Sequence, residues 1–104
     1  MKKIARVDAN QPEIVKAFRD NGASVIHLHQ LGGGCPDILI AYKGITTLVE
    51  IKDGEKPPSQ RQLTADQQEF FRNWQSSIAL VTSVFDVLVL LKNISDVVDT
   101  QKAA

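Results

Sequence analysis

Two apolar runs joined by Lys43-Gly44 constrain the fold of this chain more than any other feature of the sequence. Both runs are rich in aliphatic residues typical of strands, and a glycine in a two-residue loop is typical of a tight hairpin. In such a hairpin Tyr42 lies opposite Ile45, and the register continues outward from that pair. Asp37 is then predicted to stand directly opposite Glu50, with Cβ atoms about 4.5–5.5 Å apart.

The opposed acids suggest a metal site. Lys52 joins the face of Glu50, because side chains alternate along a strand. Two opposed carboxylates destabilise a sheet unless their charge is neutralised. Mg²⁺ or Mn²⁺ would neutralise it, because these ions bind carboxylate and carbonyl oxygens. The carbonyl of Ile51 is a possible additional ligand. An ion beside a lysine suits phosphodiester hydrolysis, since both offset negative charge as the phosphate reacts. The alternative is that Asp37 ends a loop and the other charges face solvent; the spacing alone does not decide between the two.

Capping and turn signals predict the remaining elements. Asn10 and Glu13 have the spacing of a capping box before a first helix, which ends at 21–22, and Thr64 and Gln67 have the same spacing before a second helix. The other predictions are strands over 24–29, 37–42, 45–52 and 78–82, a final helix over 83–91, and fraying from Ser95 onward. The order α-β-β-β-α-β-α predicts an α/β fold whose mixed central sheet is flanked by helices.

Composition narrows the class of protein. A chain of 104 residues is predicted to form one domain, and its 12 basic and 12 acidic residues argue against coating nucleic acid through net charge. Lys2, Lys3 and Arg6 could still form a local basic patch. The single cysteine, Cys35, cannot form an internal disulfide. With no run long enough for a membrane span, we expect a cytoplasmic protein.

Three segments together resemble a known family. Gly33-Gly34-Cys35-Pro36-Asp37-Ile38-Leu39-Ile40, Leu48-Val49-Glu50-Ile51-Lys52-Asp53-Gly54 and Leu63-Thr64-Ala65-Asp66-Gln67 are similar to motifs of small stand-alone VRR-NUC nucleases. These form a branch of the PD-(D/E)XK superfamily that is common in bacteriophages. The resemblance covers roughly residues 10 to 92 and implies the restriction-endonuclease-like αβββαβ core. Ala65 departs from the pattern, because relatives often carry proline there.

The resemblance also implies roles for individual residues. It makes Asp37 and Glu50 metal-binding acids, Lys52 the motif lysine, Glu13 a further metal ligand and Gln67 part of the catalytic set. It implies Mg²⁺ or Mn²⁺ as cofactor, DNA as substrate and, for small phage members, homodimers acting on branched DNA such as Holliday junctions.

Several residues have a plainer explanation beside the functional one. Capping alone would explain Glu13 and Gln67, although Gln67 shares the inward stripe of its helix, where an amide needs a partner. The stripe itself, Phe70, Phe71 and Trp74, is predicted to be core rather than a base-stacking surface. His27 and His29 are predicted to be ordinary strand positions, and Cys35 a small buried residue. Lys43, Lys56 and Arg61 are candidate phosphate contacts. Val87, Leu88 and Leu91 are a candidate dimer interface.

Three functions follow from these observations. The first is a metal-dependent DNA endonuclease that uses Asp37, Glu50 and Lys52, with selectivity for Holliday junctions, forks or flaps. The second is a non-catalytic protein that binds DNA junctions or serves as an assembly subunit on the same fold. The third is a small cytoplasmic regulatory protein, which would have no metal affinity at the acid pair.

Overall fold

The computed structural model describes residues 8–103, so the cluster Lys2, Lys3 and Arg6 lies outside the described residues. It contains three helices, α1 (Gln11–Asp20), α2 (Ala65–Asn73) and α3 (Val84–Ala103), and four strands, β1 (Ser24–His27), β2 (Ile38–Tyr42), β3 (Ile45–Ile51) and β4 (Ile78–Val81). The predicted α/β fold with a mixed sheet and flanking helices is confirmed.

The sheet has the strand order β1-β2-β3-β4. The first two pairings are antiparallel and the pairing of β3 with β4 is parallel. At the β2–β3 turn, Lys43 and Gly44 both have positive φ, 51° and 81°, as a type I′ hairpin requires. Tyr42 pairs with Ile45, and the ladder runs to the pair of Ile38 and Val49. The predicted register is therefore confirmed, and Asp37 and Glu50 follow directly after the last pair.

The core lies between one face of the sheet and the helices α1 and α3. The apolar face of α1 is buried there, and the alternate residues of β2 and β3 that point toward it are fully enclosed. The main members of this core are Ile14, Phe18, Ile38, Ile40, Val49, Ile51, Val81, Val87 and Leu91. This packing fixes the inner strands, and with them the strand ends that follow the pair of Ile38 and Val49.

Two predicted boundaries are wrong. The first strand ends at His27 rather than His29, because Leu28 leaves the extended conformation (φ −119°, ψ −1°) and the chain then turns through a short 3₁₀ segment. The final helix does not fray at Ser95 but continues to Ala103. Ile94 packs in the core and Val98 packs against it, so the added turns have an apolar anchor.

Two predictions about packing also need correction. Val87 and Leu91 are buried inside the chain, so they are not available to a partner, whereas Leu88 is exposed. Helix α2 buries none of its residues, and Trp74 at its end is exposed and stacks on Phe70 with ring centroids 5.5 Å apart. Within residues 8–103, no helix is both long and apolar enough to cross a membrane.

Candidate active site

Asp37 is held at the start of β2 by the backbone of the neighbouring strand. Its side chain is buried, and its Oδ2 accepts a hydrogen bond of 2.7 Å from the Ile51 N–H. The N–H and C=O of one strand residue point to the same side, so the Ile51 carbonyl is also directed toward the Asp37 side of β3. The end of the hairpin thus assembles one carboxylate and one carbonyl that sequence analysis placed in a metal site.

Glu50 is more deeply enclosed, with only 2% of its surface exposed. Its Oε2 accepts a hydrogen bond of 3.2 Å from Gln67 Nε2 and lies 3.8 Å from Lys52 Nζ. When Glu50 is ionised, its buried Oε1 has no hydrogen-bond partner among the described residues. An enclosed carboxylate oxygen without a partner is costly, and a cation is one of the few groups that can compensate for it.

Gln67 joins the acid to the lysine. Its Oε1 accepts from Lys52 Nζ at 2.8 Å and from the Thr64 N–H at 2.9 Å, while its Nε2 donates to Glu50. The predicted capping box is also present, because the Gln67 N–H donates to Thr64 Oγ1. Capping and contact with the acid pair are therefore not alternatives here: one amide does both, and the start of α2 fixes the position of Lys52.

Burial and like charge disturb the ionisation of both acids. Burial, with the charge of Asp37 next, raises the pKa of Glu50 to about 9. Burial also raises the pKa of Asp37, although the hydrogen bond from the Ile51 N–H opposes the change. Without a cation, Glu50 therefore keeps its proton at neutral pH, and the side chains of Glu50 and Asp37 share a hydrogen bond. Strongly raised carboxylate pKa values are typical of sites built to bind or move charge.

The glycine loop places α2 against the site. Gly34 has a φ of +80°, and a Cβ there would stand 2.2 Å from the backbone oxygen of Asp66, in the first turn of α2. Only glycine allows this approach without displacing the helix. Because Gln67 is the next residue after Asp66, the position of the bridging amide depends on Gly34.

The start of α1 approaches the same strand ends in a way that sequence analysis missed. Asn10 Nδ2 donates to the carbonyls of Lys52 and Thr82, at 3.1 and 3.2 Å, and makes no cap bond to its own helix. Asp8, two residues earlier, lies with its Oδ1 3.7 Å from Lys56 Nζ. Its negative charge is among the causes that raise the pKa of both Asp37 and Glu50. Nothing in local spacing could reveal these contacts, which join distant parts of the chain.

Glu13 lies apart from this arrangement. Its side chain is exposed on the first turn of α1, where it lines a surface groove together with Asp53 and Glu55. The capping-box geometry predicted for it is absent, because the Asn10 side chain is bonded to the ends of β3 and β4 instead. Its predicted role as a metal ligand stays a prediction.

The comparisons with known proteins give one informative result. No family model and no curated protein matches the sequence. A solved structure described as a VRR_NUC domain matches with a TM-score of 0.54 and 29% identity, over 79% of this chain and 89% of that chain. The chain has the fold of a VRR-NUC domain. The resemblance to VRR-NUC domains predicted from the three motifs is thereby confirmed, while the phage origin and the wider superfamily stay predictions.

The strand ends that carry Asp37 and Glu50 fit a hard divalent cation. Among residues 8–103, no three Asp, Glu, His or Cys side chains are close enough to hold a metal ion alone. Mg²⁺ does not require three, since it keeps several waters and is commonly held by one or two carboxylates. Asp37, the unpartnered Oε1 of Glu50 and the Ile51 carbonyl supply the oxygens that such an ion prefers.

The candidate phosphate contacts are not all in one part of the domain. Lys43 is in the hairpin turn, above the ring of Tyr42 and about 20 Å along β2 from Asp37. Lys56 follows β3 and pairs with Asp8, and Arg61 Nε donates to the Lys56 carbonyl at 2.7 Å. The loop after β3 therefore brings two of the three cations to the side of the domain where β3 ends.

The remaining reactive side chains contribute less to the candidate active site. His27 and His29 have ring centroids 6.0 Å apart, but His29 lies in the 3₁₀ segment rather than on the strand. Cys35 is half-buried, and burial, then the charges of Glu50 and Asp37, raise the pKa of its thiol. A thiol held protonated is a poor nucleophile.

Proposed function

We propose that this VRR-NUC domain is a metal-dependent DNA endonuclease that hydrolyses phosphodiester bonds. The observation that carries the proposal is the buried acid pair of Asp37 and Glu50. When Glu50 is ionised, its Oε1 has no hydrogen-bond partner among the described residues, and its Oε2 lies 3.8 Å from the ammonium of Lys52, which Gln67 holds. The likeness to a VRR_NUC domain supports a nuclease, and the acid pair adds a reason in this chain's own chemistry.

The proposed division of roles follows the contacts. Asp37, Glu50 and the Ile51 carbonyl would hold Mg²⁺ or Mn²⁺, which would neutralise the acid pair and polarise the scissile phosphate. Lys52 would position the attacking water and offset charge that develops on the phosphate oxygens. Gln67 would keep the ammonium of Lys52 in place through its bond of 2.8 Å.

We propose branched DNA as the preferred substrate, a homodimer as the active form and the cytoplasm as the location. A dimer holds two active sites at a fixed separation. Such a pair of sites can distinguish junctions, forks and flaps by their geometry. Phe85 and Leu88 are exposed on α3 and offer apolar surface for such contact. Lys56 and Arg61 are proposed to contact DNA near the site, and Lys43 to contact it farther along. Residues 1–104 are proposed to act as one nuclease domain.

The test is a cleavage panel of matched linear, forked and four-way DNA with Mg²⁺ or Mn²⁺. We expect cutting that needs the cation and that is lost in Asp37→Ala and Glu50→Ala, with folding checked by circular dichroism. Exposed Glu69→Ala is the matched control and should cut like the natural chain. If all DNAs stay intact while four-way DNA is bound, the non-catalytic junction binder is the better description. If DNA is neither cut nor bound, both functions are wrong.

A further inference from the structure

The end of α2 carries an aromatic pair that the fold leaves at the surface. Phe70 and Trp74 are one helical turn apart, and their rings stack with centroids 5.5 Å apart and planes 17° apart. Trp74 is nevertheless 44% exposed, although tryptophan is on average a highly buried residue. Because Phe70 covers one face of the indole ring, the ring is already held in place for a further flat partner. Such a rigid, exposed aromatic surface is typical of recognition sites.

The aromatic pair lines a groove with a volume of about 350 Å³. Gly33 and Asp66 are also part of its lining, so the groove begins where the glycine loop meets the first turn of α2. Asp66, Phe70 and Trp74 are spaced four residues apart and therefore lie along one side of the helix. A volume near the lower end of the range for small-ligand sites can hold a single base, but it cannot hold a duplex.

The groove adjoins the acid pair. Asp66 directly precedes Gln67, whose side chain bonds both Glu50 and Lys52. Trp74 follows Gln67 by two helical turns, which corresponds to about 10 Å along the helix axis. Since one nucleotide of a strand spans about 3.4 Å, a strand held at the acid pair would place a base at Trp74 about three nucleotides from the cut.

The charge of the groove determines which part of a DNA strand can enter it. Asp66 and Glu69 both line the groove, and their carboxylates repel a phosphate. A base is uncharged, and the amino group of cytosine can donate to a carboxylate. Asp66 lies one turn before Phe70 on the same side of α2, whereas Glu69 directly precedes Phe70 and is turned about 100° away from it. Asp66 is therefore the carboxylate placed beside a base that stacks on the aromatic pair.

We propose that Phe70 and Trp74 form a stacking site for one unpaired base of the DNA strand held at the acid pair, and that Asp66 favours a base with an amino group. The inference rests on the proposed function, because it assumes DNA at the acid pair. A base inside a duplex would first have to be unstacked and unpaired, which costs free energy. The site therefore favours forks and flaps with unpaired arms over fully paired duplex or four-way DNA.

The first experiment uses Trp74 itself, because it is the chain's single tryptophan and its fluorescence reports stacking directly. The full chain is titrated, without divalent cation, with short single strands of deoxycytidine or of thymidine. We expect deoxycytidine to quench the fluorescence and to bind about 5-fold more tightly than thymidine, the low end for a contact to a base edge. Thymine offers Asp66 an oxygen at the position where cytosine offers an amino group.

Two variants with the same charge change test the role of Asp66. Asp66→Asn should bring the affinities for the two strands within about 2-fold of each other, because an amide can donate to thymine as well as accept from cytosine. Glu69→Gln makes the matched change in the same groove and should keep the natural preference. A preference that survives in Asp66→Asn, or one that is lost equally in Glu69→Gln, would contradict the reading of the base by Asp66.

Trp74→Leu tests the stacking, since it keeps an apolar side chain and removes the ring. Binding of dye-labelled deoxycytidine strands, measured by anisotropy, should weaken about 10-fold, within the range for loss of a stacking aromatic. Trp74→Tyr should recover most of this loss. Val97→Ala shortens another exposed apolar side chain, on α3, and should bind within about 2-fold of the natural chain. Thermal unfolding should show that Trp74→Leu folds, which separates a binding effect from a loss of structure.

Cleavage assays with Mg²⁺ test the consequence for the substrate. Trp74→Leu should cut forked DNA about 10-fold more slowly and should cut duplex at the natural rate. An abasic nucleotide in the unpaired arm should slow cleavage only when it lies about three nucleotides from the cut. Equal losses on forked and duplex DNA would instead give the ring a purely structural role.

The outcomes separate the two proposals. If DNA is cut but Trp74→Leu binds single strands as tightly as the natural chain does, the stacking site alone is wrong. Fluorescence that changes with protein concentration and not with added DNA would make the aromatic pair a contact between copies, which also overturns the site. If single strands quench Trp74 but no DNA is cut, the stacking site stands and the proposed endonuclease activity fails. If DNA is neither bound nor cut, both are wrong.

Discussion

The two helix starts, α1 and α2, have the same capping-box spacing and different structures. At α2, Thr64 and Gln67 form the capping box, and the same Gln67 side chain reaches Glu50 and Lys52. At α1, the Asn10 side chain leaves its helix to bond the ends of β3 and β4, and Glu13 is left exposed. The local sequence pattern determines which hydrogen bonds these side chains can make. Contacts with the neighbouring strand ends determine which of those bonds form.

The largest expected effect concerns the ionisation of Glu50, on which the start of α1 and the start of α2 act in opposite directions. Gln67 donates to its Oε2, whereas the charge of Asp8 opposes its ionisation. With a folded pKa of about 9, far above the unfolded value, stability from protonated Glu50 is complete below about pH 4.5 and is lost as pH rises toward 9. In metal-free protein, the free energy of unfolding should fall between pH 5 and 8, by up to about 1.4 kcal/mol per pH unit.

Denaturant titrations at several pH values measure this slope. Glu50→Gln should remove most of it, and saturating Mn²⁺ should reduce it. A free energy of unfolding that stays level or rises over this range would contradict the raised pKa.

The second prediction concerns Gly34, which lies outside α2 but packs against the first turn of that helix. Gly34→Ala places a Cβ against the backbone of Asp66 and forces a positive φ on alanine, so we expect a loss of about 3 kcal/mol. DNA cleavage should fall as well, because Gln67 moves with the helix. Gly33→Ala is the control: it has a similar φ of +65° but open space around it, and should lose only about 1 kcal/mol. Equal losses in the two variants, measured by urea unfolding, would argue against the close approach.

The third effect removes the bridging amide. Gln67→Ala loses the bonds to Thr64, Lys52 and Glu50, and should cost about 2 kcal/mol. Cleavage should fall more steeply than stability, because the ammonium of Lys52 loses its partner. Gln68→Ala, one residue on and exposed, should leave cleavage unchanged. Cleavage by Gln67→Ala at the natural rate would mean that the amide serves only as a cap.

The fourth effect separates capping from donation at Asn10. Aspartate caps helices as well as asparagine does, but it cannot donate to a carbonyl. Asn10→Asp should therefore cost about 1.5 kcal/mol through the lost bonds to Lys52 and Thr82. If thermal unfolding shows the variant to be as stable as the natural chain, Asn10 acts as a cap after all.

The smallest effect belongs to Glu13. Glu13→Ala removes an exposed charge from the first turn of α1 and should change stability by at most about 0.5 kcal/mol. Cleavage should stay within 2-fold of the natural rate. A large loss of cleavage would instead support Glu13 as a metal ligand and make the two helix starts alike in function.

The sequence predicted those features that depend on neighbours along the chain. The register of the hairpin followed from Lys43-Gly44, and the capping box from Thr64 and Gln67, because each is decided within a few residues. The extent of α3 was missed, since its last turns are held by packing of Ile94 rather than by a local signal. Asn10 and Asp8 were missed for a similar reason, as the contact from Asn10 to Thr82 spans 72 residues.

The same separation along the chain has a consequence for the order of folding. The hairpin can bring Asp37 and Glu50 together early, because only 14 residues separate Asp37 from its partner Ile51. Gln67 and Asn10 can add their bonds only after longer loops have closed, and such closures are slower. During refolding, cleavage should therefore recover with the slowest phase, after the hairpin has formed. In a newly synthesised chain, Asp37 and Glu50 would therefore come together before the proposed active site is complete.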